Sequence, residues 1–152
     1  MKRYLRVKLS MVLIGRGKAG TVRVWTIGYG SRSKEQLLNM LKASRIEVVV
    51  DVRRWPTSKL KDFKRENMEK WLKEANINYI WMGETLGGYR KEGYENHMNT
   101  KTFKQGLKTL LKLISEKRVC LLCLEVSPRG CHRRFISRAL QREGVKVSHI
   151  LR

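Results

Sequence analysis

The stretch IEVVVDV, residues 46–52, is an almost unbroken apolar run, interrupted by Glu47 near its start and Asp51 near its end. A strand with one wet face alternates apolar and polar side chains. A run this continuous therefore marks a strand covered on both faces, as in a parallel sheet. On its N-terminal side lie VRVWTI (22–27), the turn GYGSRS, and a helix from Ser33 to about Ser44. Ser33 and Gln36 form a capping box, and Leu37, Leu38 and Leu41 form the inner stripe. On its C-terminal side RRWPTSKLKDFKR has no period and Pro56 blocks regular structure, before a helix over about 66–75 and a third strand, NYIWM (78–82).

Residues 83–99 read as a long glycine-rich loop exposing Tyr89 and Tyr94. The next helix is the clearest: Phe103, Leu107, Leu110, Leu111 and Ile114 recur at helical spacing, while Lys101, Lys104, Lys108 and Lys112 line a solvated face. RVCLLCL (118–124) is the fourth strand. A helix over 131–143 follows, with Arg134, Arg138 and Arg142 on one side and Gly144 as its stop, and VKVSHI (145–150) is the fifth strand. This alternation predicts a single α/β domain, a three-layer α/β/α sandwich around a mainly parallel, five-stranded, Rossmann-like sheet.

A chain of 152 residues buries a core without disulfides or structural metal. Three cysteines in no paired pattern suit a reducing cytosol, and no apolar run reaches the roughly 20 residues that span a bilayer. Residues 1–20 carry Lys2, Arg3, Arg6, Lys8, Arg16 and Lys18 without an acid, and read as a basic extension ahead of a domain over 21–152. Their apolar patch is short and lacks a small-residue cleavage site, which argues against a secretory signal; Met11 is an alternative start. The net charge is +21. Without the six basic residues of the extension, 28 basic face 13 acidic residues, so the body itself keeps an excess of 15. A lysine-rich, heat-adapted surface would raise acids alongside bases; here the acids lag. The expected partner is nucleic acid or another polyanion.

In such sheets ligands bind beyond the carboxyl ends of the strands, where strand order reverses. The polar clusters follow those ends: GYGSRS after the first strand, DVRRWP after the second, the Gly/Tyr loop after the third and CLEVSPRGCHRR (123–134) after the fourth. Gly28, Tyr29 and Gly30, with Arg32, suit an anion near a helix start, but their spacing is neither a dinucleotide nor a P-loop fingerprint, so no nucleotide cofactor is expected. Asp51 ends a buried strand and needs a partner, with Arg53 adjacent; it is either structural or catalytic.

The segment 123–134 gathers Cys123, Glu125, Cys131, His132 and three arginines. A thiol at a helix start beside arginines ionises readily, which makes Cys131, His132 and Arg133 a nucleophile neighbourhood, with Glu125 as a proton carrier or as partner to an arginine. Cys120 and Cys123 are three apart on a strand and point to opposite faces, so they do not grip one metal. Zinc at Cys123, Cys131 and His132 would want a fourth ligand and is a lesser alternative. Cys123 to Arg129 has the C-x5-R spacing of an anion cradle, but Glu125 inside it would repel phosphate. His97 is either a mobile site residue or an exposed loop histidine, and His149 ends the last strand on the side of the clusters.

TIGYGSRS, VVVDVRRWPTSK, YIWMGETLGG with YENHM, CLLCLEVSPRGCHRR and VSHI, in that order, resemble the domain of unknown function 488 family over about residues 22–150. The pattern implied is C-x-E-x-x-P-x-x-C-H-R, matched by Cys123, Glu125, Pro128, Cys131, His132 and Arg133. Asp51, Val52 and Arg53 match its D-V-R, and Leu86, Gly87 and Gly88 its L-G-G. The resemblance implies a fold and a site rather than a reaction, with a loose association to DNA repair. The expectation is an enzyme of nucleic-acid metabolism acting on a phosphate-bearing substrate. Asp51, Cys123, Glu125, Cys131 and His132 would do the chemistry, while Gly28, Tyr29, Gly30, Arg32, Arg53 and Arg133 bind phosphate. A binding module without turnover and a thiol enzyme for a small anion are the alternatives.

Overall fold

The computed structural model describes residues 22–125 and 132–151, so the extension, Pro128, Arg129 and Cys131 lie outside the described residues. The elements are β1 (Arg23–Gly28), α1 (Lys34–Ala43), β2 (Val48–Asp51), a 3-10 turn (Lys61–Phe63), α2 (Arg65–Glu74), β3 (Asn78–Trp81), α3 (Gly83–Leu86), α4 (Tyr94–His97), α5 (Lys101–Glu116), β4 (Val119–Cys123), α6 (Arg133–Arg142) and β5 (Lys146–Ile150). The sheet runs β3-β2-β4-β1-β5, and every pairing is parallel.

Side-chain alternation splits the core into two layers. Val48, Val50, Val52, Leu121 and Cys123 pack against Phe103, Leu110 and Ile114 of α5 and Ile136 and Leu140 of α6. Ile27, Val49, Cys120 and Leu122 pack on the other face against Leu37 and Leu41 of α1 and Met68 and Leu72 of α2. The helices after β1 and β2 thus cover one face and those after β3 and β4 the other. The chain moves outward through β2 to β3, then back through β4 to β5 on the far side. β4 sits between β2 and β1, whose outgoing helices both leave to the face opposite its own. Its carboxyl end is the topological switch point.

Helix ends follow the sequence. The Ser33/Gln36 capping box forms as expected, with Ser33 Oγ accepting from Gln36 N and Gln36 Oε1 from Ser33 N. α1, α2 and α6 all stop on a left-handed residue: Arg45 (φ 54°), Asn76 (φ 61°) and Gly144 (φ 89°). In each the next amide reaches back to the last turn, Ile46 to Leu41 O (3.0 Å), Ile77 to Leu72 O (2.9 Å) and Val145 to Leu140 O (3.1 Å).

Residues 83–99 differ from the long loop expected. They hold two single-turn helices, α3 and α4, too short to show a period. Tyr94 is packed rather than exposed; its hydroxyl donates to Leu86 O at 2.7 Å and its ring meets that of Phe103. His97 is packed rather than exposed: it is 4% accessible, and Nε2 donates to Thr85 O at 2.7 Å. Tyr89 is exposed as read.

Candidate functional site

The end of β4 is clasped on both sides. Tyr29 N and Gly30 N, leaving β1, donate to Cys123 O (3.0 Å) and Leu124 O (2.7 Å), and Val52 N, leaving β2, donates to Leu122 O (3.1 Å). His132, at the cap of α6, reaches across to β2, with Nε2 2.8 Å from Val52 O. A carbonyl only accepts, so Nε2 carries the proton and, in the neutral ring, Nδ1 holds the lone pair. That Nδ1 faces Gly88, where an added Cβ would stand 2.8 Å away. Gly87 is similarly pressed on Arg54, with a Cβ there 2.7 Å from the Arg54 Cα. The L-G-G sequence thus lets the loop after β3 lie against both the loop after β2 and the imidazole.

Arg133 enters from the first turn of α6 with no exposed surface. Nη1 donates to Thr26 Oγ1 at 3.1 Å and Nη2 to Glu125 O. Thr26 Oγ1 also lies 2.5 Å from His149 Nδ1. Arg32 donates to Gly28 O (2.7 Å) and Leu151 O (2.5 Å). The pKa values of Arg32 and His149 are both lowered, first by burial and then by the charge of Arg133. Two guanidinium groups and an imidazole therefore crowd the end of β1. Arg32 also lines an open hollow of about 450 Å³ together with Ser31, Lys34 and Lys61.

Cys123 lies at the end of β4 on the α5/α6 face and is 5% exposed, while the Glu125 side chain is exposed. Cys120 points to the opposite face, as strand geometry required, and its burial pushes the thiol pKa far up. Among the described residues no three of His, Cys, Asp and Glu form a group able to hold a metal.

Asp51 and Arg53 lie on the other side of the sheet. Asp51 has no exposed surface; Oδ1 accepts from Arg53 N (3.1 Å) and Nε (2.9 Å), and Oδ2 from Arg53 Nη2 (2.7 Å) and the Tyr79 hydroxyl. Arg53 Nη1 continues to Phe63 O at 2.7 Å, which pins the 53–65 segment to the strand end. Burial opposes the Arg53 charge, but the hydrogen bonds and charge of Asp51 outweigh it and its pKa rises; burial first, then the Asp51 charge, raises that of Tyr79. Tyr29 is 3% exposed, stacked on Phe63 at 4.4 Å under the Arg53 guanidinium. The turn amides of Tyr29, Gly30, Arg32 and Ser33 are already engaged within the chain.

The expected residues thus converge on one edge but divide between layers. Cys123, His132 and Arg133 face α5 and α6; Asp51, Arg53 and Tyr29 face α1 and α2. The strand period explains this, because Asp51 follows Val49 and Val52 follows Val50. Thr26 and Tyr79 went unnoticed in the sequence, since each matters through a cross-strand partner. The only signal was a polar residue alternating with buried apolar ones.

This is an α/β domain with a doubly wound parallel sheet whose strand-end loops bring His132, Arg133 and Arg32 to one edge. The family model described as domain of unknown function DUF488 matches residues 33–140, and the chain belongs to that family. The match spans Asp51–Arg53, the L-G-G loop and Cys123–Arg133; the Gly28–Arg32 turn and β5 lie outside it. No curated protein and no solved structure matches the chain. Among the described residues no helix is long and apolar enough to cross a membrane.

Proposed function

We propose that the protein acts in nucleic-acid metabolism, holding a polyanion on its basic surface and presenting a phosphate-bearing group to the loops beyond the strand ends. The observation that carries this reading is the excess of 28 basic over 13 acidic residues in the body, with Arg32, Lys34 and Lys61 lining one open hollow. Arg133, wholly buried and bonded to Thr26 and Glu125 O, braces the loop rather than meeting phosphate. Arginine forks match phosphate oxygens, and a surplus of cations draws the polymer in before any specific contact forms. His132, held at the strand ends by its Nε2 bond to Val52 O, is the imidazole that moves a proton under this reading. Cys123, Cys131 and Glu125 complete the reacting set. Asp51 and Arg53 set the position of the loop that His132 grips.

Oligonucleotide binding across a salt series tests the first half. Log K should fall linearly with log salt, with a slope of about 0.9 per neutralised phosphate on duplex; a flat line would sink the reading. Turnover of end-labelled DNA and RNA tests the second half. His132→Gln should abolish it while leaving affinity within about twofold, since phosphate contacts rather than the imidazole carry binding. A second reading, binding without turnover, is favoured by one observation: the Asp51 carboxylate is wholly occupied by Arg53 and Tyr79. Under that reading wild-type protein binds and cleaves nothing.

A further inference from the structure

On the loops after β2 and β3 stands an aromatic pair that the core does not use. Trp55 is 58% exposed and Tyr89 80%, with ring centroids 5.4 Å apart and planes tilted by 56°. Trp55 belongs to the loop after β2 and Tyr89 to the loop after β3. Arg54 ties the two together, its guanidinium 5.5 Å from the Trp55 ring centre and Nη1 donating to Tyr89 O at 3.3 Å. Tyr89 adopts φ 56°, a left-handed conformation that costs a bulky side chain energy. The ring meets Trp55 and is otherwise largely in solvent, so little packing offsets that cost; a strained backbone that holds a ring outward is a feature of ligand-binding loops. The pair adjoins the site: Gly88, next to Tyr89, lies against His132 Nδ1, and Gly87 against the Arg54 backbone. Arg90, fixed to Gly87 O (3.0 Å) and Glu84 O (2.8 Å), supplies a second cation on the same rim.

We propose that Trp55 and Tyr89 form a stacking platform for an unpaired base of single-stranded nucleic acid, with Arg54 and Arg90 meeting the flanking phosphates. Stacking on exposed aromatic faces within a basic rim is how single strands are held without sequence readout, and every base offers a π face that a duplex hides. Cations beside the rings favour this occupant over an apolar protein surface, which would leave the guanidinium groups unanswered. The inference rests on the polyanion reading above and adds the strand state of the ligand.

The test uses the full chain and four probes of equal length: oligo-dT, oligo-rU, an abasic deoxyribose-phosphate strand, and a duplex. Trp55→Ala and Tyr89→Gly are the variants; glycine keeps the left-handed backbone, and Trp55→Phe keeps an aromatic face. Trp55→Ala and Tyr89→Gly should each weaken oligo-dT and oligo-rU binding by about 5- to 100-fold and leave the abasic strand and duplex unchanged, whereas Trp55→Phe should keep most of the affinity that Trp55→Ala loses. The two homopolymers together report whether the sugar matters. Equal losses on abasic and base-bearing strands, or no loss on either, would overturn the platform while polyanion binding stands. Failure of the wild-type protein to bind any probe at low salt would overturn both.

Discussion

Asp51 ends β2 with no exposed surface, and the Arg53 fork, the Arg53 amide and the Tyr79 hydroxyl supply the hydrogen bonds its buried carboxylate needs. Arg53→Ala should cost about 3–5 kcal/mol in urea unfolding, because it strands a buried carboxylate; Arg53→Lys should recover only part of this, lacking the fork. Sequence alone showed that Asp51 needed a partner and that Arg53 was near. It could not show Tyr79, which reaches Asp51 through the register of the neighbouring strand. His97 gives a pH prediction. Its pKa lies below the ordinary 6.5, mainly through burial, partly offset by its bond to Thr85 and pressed further by Arg90. The unfolded chain therefore binds the proton more readily than the folded one, so stability is full above pH 6.5 and declines as pH falls through the lowered value. His149, also lowered by burial and by Arg133, adds to the decline. His97→Gln should shrink the acid loss measured by urea unfolding at successive pH values.

At the scale of elements, three helices hand the chain to a strand through the same left-handed stop, and the stops differ in cost. Gly144 adopts φ 89° freely, whereas Arg45 adopts φ 54° with an exposed side chain and strained backbone. Gly144→Ala should lower stability, and Arg45→Gly raise it, each by about 1 kcal/mol, as read from denaturation midpoints at constant slope. The Gly144 stop was legible because glycine announces itself. Arg45 and Asn76 were not, since neither residue type demands that conformation. The capping box of α1 and the two faces of α5 were legible, being patterns of period and position within one element. α3 and α4 were not, because four residues make no period.

For the whole molecule, alternation of apolar runs and helical stripes was enough to give layers and parallel strands, and to place every polar cluster at one edge. Strand order was beyond its reach. It arises from which crossover packs on which face, and it decides that Asp51 and His132 lie on opposite sides of the sheet although both belong to that edge. The exposure of Tyr89 was legible, but its pairing with Trp55 was not, since that depends on two loops meeting across the sheet.

β4 occupies the middle of the sheet but is the fourth strand to be synthesised. Until it arrives, β1 and β2 have no common neighbour, and each presents a bare row of amides and carbonyls. A chain ending at Glu116 should therefore show no cooperative melting by circular dichroism and should scatter light at concentrations where the full chain stays clear. The full chain, obliged to join segments distant along the polypeptide before its centre closes, should refold slowly for its size. During translation, the interval before residues 119–123 emerge is when this protein most needs a chaperone.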